Sequence, residues 1–168
     1  MPVPACRLNS ATQANKTLGL RTSMLRQAVV ADVPDMHRVR MSVRENRLVS
    51  TIITEADTRK AIEDLGRGWV VEVDGEVVAF AIGNQITGNI WALFVDPEHE
   101  GRGYGRQLHD EMLTWLWAQG LRKLWLTTEP GTRAERFYQK AGWTKLGVTD
   151  NGEVRFEILK PNEPPERE

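Results

Sequence analysis

Of 168 residues only one is cysteine, Cys6. That excludes an intramolecular disulfide framework and any metal site built from several thiolates. The histidines are as sparse: His37, His99 and His109 show neither HxxxH nor HExxH spacing, so no metal is expected. No apolar run approaches the roughly 18 residues that span a bilayer, and no membrane partner is expected. Residues 1–22 lack the continuous apolar core of a secretory signal. Neither sign of charge is in excess, with Lys+Arg 22 against Asp+Glu 23 and a formal net charge of −1. A nucleic-acid partner normally requires a strongly basic face, so none is expected either. Scarce cysteine fits a reducing compartment, and a cytoplasmic protein is the expectation.

What is present is the composition of one globular domain, 40% hydrophobic and 27% charged, long enough to bury a core without staples. Residues 1–23 read as a polar disordered leader, 24–160 as the domain, and 161–168 as a flexible Pro- and Glu-rich tail. Leu25 to Val30 reads as a strand. Asp32 supplies an N-cap and Pro34 a first turn for a helix to about Val43. Thr54 caps a second helix, which Gly66 and Gly68 should break. Trp69 to Val73, the turn signal Asp74-Gly75, and Glu76 to Gly83 form a hairpin. Asn89 to Val95 is a buried strand, and a long helix from about Gly103 to Gln119 carries Leu108, Met112, Trp115 and Leu116 on one face. A strand over Lys123 to Thr127, a helix from Thr132 to Gly142, and two strands around Asn151-Gly152 complete a mixed α/β order, β-α-α-β-β-β-α-β-α-β-β. The strands flanking the long helix should be parallel neighbours.

The segment Val95-Asp96-Pro97-Glu98-His99-Glu100-Gly101-Arg102-Gly103-Tyr104-Gly105-Arg106 carries the most chemistry. A buried strand enters a glycine-rich turn that opens a helix, so backbone N–H groups converge and the positive end of the helix dipole adds to them. A phosphate or pyrophosphate suits such a nest. A P-loop would need GxxxxGK[ST], and a dinucleotide fingerprint would need glycine where Arg106 stands. Some thirty residues on comes Ala134-Glu135-Arg136-Phe137-Tyr138-Gln139-Lys140-Ala141-Gly142-Trp143.

Together these two segments resemble the GNAT superfamily of N-acetyltransferases. The first resembles [R/Q]-x-x-G-x-[G/A] after V-x-P, departing at Glu100, and the second resembles A-x-x-[F/L]-Y-x-[K/R]-x-G-[F/W]. The resemblance covers about Leu25 to Lys160. It implies a central twisted mixed sheet of about seven strands flanked by about four helices, with a splay between the fourth and fifth strands. It also implies acetyl-CoA as acyl donor. The main chain of Leu93, Phe94 and Val95 should pair with the pantetheine arm, and Gly101, Arg102, Gly103, Tyr104, Gly105 and Arg106 should hold the pyrophosphate. Tyr138 should act as general acid at the thioester sulfur. An asparagine often found seven residues before that tyrosine is replaced by Gly131, with Thr132 as the neighbouring candidate to stand in. A homodimer is suggested by the resemblance alone.

The reaction implied is direct attack of an amine on the thioester, since Cys6 sits in the leader. An amine with a reference pKa of about 10.4 must lose a proton, and a thiolate of about 8.5 must leave. The base is open among Glu45, Glu129 and a water chain. The acceptor is open too. A primary amine on a small molecule leads, and a protein N-terminus or lysine is the alternative. A non-catalytic acyl-CoA-binding module is a third reading. Trp115 and Trp125 are expected in the core, while Trp69, Trp91 and the polar run Arg44, Glu45, Asn46 and Arg47 are candidates for the acceptor side.

Overall fold

The computed structural model describes residues 22–43 and 53–162. Most of the expected leader, the run Arg44 to Arg47 and the end of the tail lie outside them. The elements are β1 (Ser23–Gln27), α1 (Val33–Ser42), α2 (Glu55–Lys60), β2 (Gly66–Val73), β3 (Glu76–Asn84), β4 (Ile90–Val95), α3 (Tyr104–Ala118), β5 (Lys123–Thr128), α4 (Arg133–Lys140), β6 (Thr144–Val148) and β7 (Val154–Leu159). The order is the one read from the sequence. The seven strands form two antiparallel sheets, β1-β2-β3-β4 and β5-β7-β6. A parallel bridge between Asn89 and Trp125 joins them. No helix among the described residues is long and apolar enough to cross a membrane.

Local chemistry accounts for most boundaries. Asp74 and Gly75 have φ of 51° and 81°, the pair of positive values that a tight hairpin turn requires. The helical run ends at Leu65 with Gly66 as its cap, as expected, but strand β2 already starts at Gly66, earlier than expected, because its glycines are also sites of close approach. A Cβ on Gly66 would lie 1.8 Å from the Gly83 carbonyl oxygen, and one on Gly68 would lie 2.8 Å from Ile62. Residues 61–65 continue α2 in a wider turn up to that strand. Asp32 begins α1 without capping it. Its carboxylate instead accepts from Val29 N and from both terminal nitrogens of Arg26, each at 2.8 Å. The Arg26 hydrogen bonds hold the Asp32 carboxyl below its ordinary range.

The first sheet carries a core on each face, as the period of two along a strand dictates. Trp69, Val71, Ala79 and Ala81 face Leu108, Met112 and Leu116 of α3. Those three α3 residues are completely buried, each contributing about 1.5–3 kcal/mol relative to exposure. On the other face Val70, Phe80, Ile82 and Ala92 meet Val33, Met36 and Val39 of α1 and Ile62. The cofactor-type motifs and the two N-terminal helices therefore stand on opposite sides of the same sheet.

Candidate functional site

Between β4 and β5 the ladder stops almost where it begins. Beside the Asn89–Trp125 bridge, Trp125 N donates to Gly88 O at 3.0 Å. From there the strands part, and the β4 edge facing β5 is left open, so its N–H and C=O groups need another partner. A cleft of about 1490 Å³ occupies the gap. Its lining includes Leu93, Phe94 and Val95 on one strand, Leu126 to Glu129 on the other, the glycine turn, and Tyr138. Strand β4 also bulges. Ile82 pairs with Ala92 and Gly83 with Ile90, so Trp91 has no opposite number. Such an extra residue re-aims side chains locally.

The glycine turn closes one end. Asp96 accepts from Glu98 N at 2.9 Å to start a short 3₁₀ turn. Gly101 and Gly103 follow with φ of 74° and 85°, which favour glycine, and nothing lies within 4 Å of where their Cβ atoms would be. No side chain caps α3, so its first N–H groups stay available to an anion. Gly105 serves a different purpose: its added Cβ would touch Val95 and Phe137 at 3.6 and 3.8 Å, so it seats α3 against β4 and α4. Arg106 lines the cleft but pairs with Asp110 at 3.1 Å. Arg102 is exposed and is not among the lining residues. Glu100, the departure from the motif, forms an ion pair with Arg133 at the start of α4. This partner stands 33 positions away in the chain, where no local pattern marks it.

On the far side α4 presents Tyr138. Thr132 caps this helix, accepting from Glu135 N at 3.3 Å, and donates its own hydroxyl to Glu129 O at 2.8 Å. The Thr132 hydroxyl is thus already committed. Tyr138 is 6% exposed, with Phe137 and Trp143 edge-on at 5.2 and 5.5 Å. Burial pushes its phenol well above the ordinary value, which keeps it protonated. Behind it Trp143 Nε1 donates to His109 Nε2 at 2.9 Å, while His109 Nδ1 meets Asp110 at 2.9 Å. An indole N–H only donates, so His109 is neutral with its proton on Nδ1. Desolvation holds its pKa down against the pull of Asp110.

Of the candidate bases, Glu129 lines the cleft and Glu45 lies outside the described residues. Trp91 lines the cleft, whereas Trp69 is buried edge-on against Trp115 at 5.6 Å. Trp125 is not the core residue expected. It is partly exposed in the cleft, donates Nε1 to Thr87 O at 3.0 Å, and carries the Arg155 guanidinium 4.5 Å above its ring. Sequence reasoning passed over Arg40 altogether. It lies on α1 at i+4 from Met36, on the buried face, and it lines the cleft. A charged residue at an apolar-face position was the available signal.

The family model described as the acetyltransferase (GNAT) family matches residues 33–143. Mycothiol acetyltransferase of Beutenbergia cavernae is 36% identical over 86 residues, covering 48% of this chain and 29% of that protein. The enzyme of the same name from Amycolatopsis mediterranei is 32% identical over 105 residues, covering 56% and 34%. The matches therefore span about a third of those relatives. Two solved structures share the fold. The ribosomal-protein-S18-alanine N-acetyltransferase of Escherichia coli has a TM-score of 0.65 at 17% identity, covering 85% of this chain and 99% of that one. The PaiA N-acetyltransferase of Thermoplasma acidophilum, in complex with coenzyme A, has a TM-score of 0.70 at 14% identity, covering 83% and 99%. With the family model matched from α1 to the end of the second motif, this chain belongs to the GNAT acetyltransferase family.

Proposed function

We propose that the protein transfers acetyl from acetyl-CoA directly to a primary amine of a small molecule. One observation carries the reading: the open β4 edge runs into an uncapped, glycine-bearing helix N-terminus, with a buried tyrosine across the same cleft. The main chain of Leu93, Phe94 and Val95 suits the amides of a pantetheine arm, as an added strand would. The N–H groups from Gly101 to Arg106 suit a pyrophosphate. Glu100 adds little opposing charge there because Arg133 neutralises it.

In the reaction the amine nitrogen bonds to the thioester carbon, the carbon–sulfur bond breaks, and the amine proton is removed. The products are an acetamide and a thiol. Tyr138 donates a hydrogen bond to the departing sulfur. Its pKa is raised and a thiol's is about 8.5, so the phenol keeps most of its hold on the proton until the thiolate takes one up. Glu129 and a water chain compete for the role of base. The names of the relatives point to different acceptors, so the acceptor must be read from this cleft.

The first test is the melting temperature with and without acetyl-CoA, for wild type and Gly103→Glu. Ligand at 100 times its Kd should stabilise the wild type by about 2.7 kcal/mol. The glutamate, placed at the open turn, should abolish the shift. Thiol release across an amine panel then reports turnover. A folded wild type that ignores millimolar acetyl-CoA would sink the reading.

A further inference from the structure

Helix α1 buries Val33, Met36 and Val39, and with them Arg40, which is 4% exposed. Its guanidinium carbon lies 5.7 Å from the ring centre of Phe80, 5.1 Å from Trp91 and 5.0 Å from Phe94. Among the described residues its Nε and Nη2 are shut off from water and have no hydrogen-bond partner. Other guanidiniums of this layer are treated differently. Arg26 has Asp32 and Glu72, and Arg38 has Asp35, Glu76 and Asp96. Desolvation pushes Arg40 down to about 10, which still leaves it a cation at neutral pH.

A buried cation without a counterion is costly, and aromatic faces offset only part of that cost. The two unpaired nitrogens lie on one edge of the guanidinium. That edge presents two parallel N–H donors, a match for the two oxygens of a carboxylate. Its place in the cleft matters as much. With a pyrophosphate at the glycine turn, an arm running back along β4 ends toward the bulge at Trp91, the ring on which Arg40 stacks. Arg40 approaches from the α1 face, opposite α3.

Resting on the acetyl-transfer reading above, we propose that Arg40 is the specificity-determining residue for the acceptor. It takes a carboxylate side-on through Nε and Nη2, so the acceptor is a small amine that also carries a carboxylate. Binding turns that edge toward the cleft Arg40 already lines, and the aromatic faces hold the guanidinium plane meanwhile. A phosphate would leave oxygens without donors, since this edge offers only two.

The test compares amines in matched sets: an amino acid, its methyl amide, its decarboxylated amine, and a phosphate-bearing amine of similar length. In wild type the carboxylate form should exceed its amide in kcat/KM by at least roughly 100-fold, more than an apolar pocket achieves and toward the 10⁴ or so of a site built around a polar group. In Arg40→Met the ratio should fall toward unity, with Arg40→Lys between. Arg40→Met should melt no lower than wild type, because an apolar chain replaces an unpaired buried charge. A parallel thermal-shift series uses the same amines in the presence of CoA. Stabilisation by the carboxylate form that Arg40→Met loses upholds the assignment even if no amine releases thiol, in which case the transfer reading alone fails. Turnover without carboxylate preference, a preference that survives Arg40→Met, or a preference for the phosphate amine would each overturn it.

Discussion

On the wall of the cleft built by the glycine turn, charge is balanced within the fold: Glu100 meets Arg133 and Arg106 meets Asp110. The ligand-facing groups there are main-chain N–H donors, which are the same whatever side chains surround them. On the wall built by α1 and the bulged part of β4, the reverse holds. On the proposed reading recognition there depends on side chains, and the most conspicuous one, Arg40, is left without a counterion among the described residues. A wall that binds through backbone can serve an invariant co-substrate, whereas a wall that binds through side chains can be retuned by single substitutions.

Three changes would sharpen that contrast. The largest effect is expected from Tyr138→Phe, which keeps the ring packing and removes the donor. It should lower kcat by roughly 10²- to 10⁴-fold while leaving the melting midpoint and acetyl-CoA affinity nearly unmoved, as single-turnover kinetics and calorimetry would show. A midpoint that collapsed would recast Tyr138 as a packing residue only.

Next comes His109, which braces that wall from behind. Burial holds its folded pKa below the ordinary 6.5 or so. As pH falls through about 6.5 the unfolded chain therefore takes up a proton that the folded chain refuses, and stability drops. Above that pH this contribution is fully present. His109→Leu should flatten this part of the profile. It should also cost about 1–3 kcal/mol at pH 7.5, because the Trp143 N–H is left without its acceptor. Urea midpoints at pH 5.5 and 7.5 measure both effects. The smallest change belongs to Glu100→Gln. Its ion pair is well exposed on the arginine side, so stability should move by less than about 0.5 kcal/mol. On the proposed reading acetyl-CoA should bind tighter by less than about threefold, as titration calorimetry would reveal, since Arg133 already offsets most of the lost charge.

The same contrast explains what could be read from sequence. A turn that converges N–H groups demands glycines at fixed spacing on one short stretch, so Gly101 and Gly103 announced the turn, with Gly105 beside them marking a packing contact. The amphipathic face of α3 was equally plain, because Leu108, Met112 and Leu116 repeat at helical spacing. The aromatic box around Arg40 draws on positions 40, 80, 91 and 94, and only the fold makes them neighbours. Gly66 and Gly68 were legible only in part, for a related reason. The helix does end before Gly66, but the strand that starts there is set by a carbonyl and a methyl group pressing on it from elsewhere. Trp125 is expected in the core from the sequence, whereas the parting of the strands exposes it in part.

That parting has a mechanical side. The two sheets resemble the leaves of a book bound near Asn89 and Trp125, with α3 and the packed rings of α4 as the spine. An extended molecule that satisfies the β4 edge would act as a missing page, tying the leaves along their length. On the proposed reading, the co-substrate is then a temporary structural member, and the sheet is complete only while the enzyme is loaded.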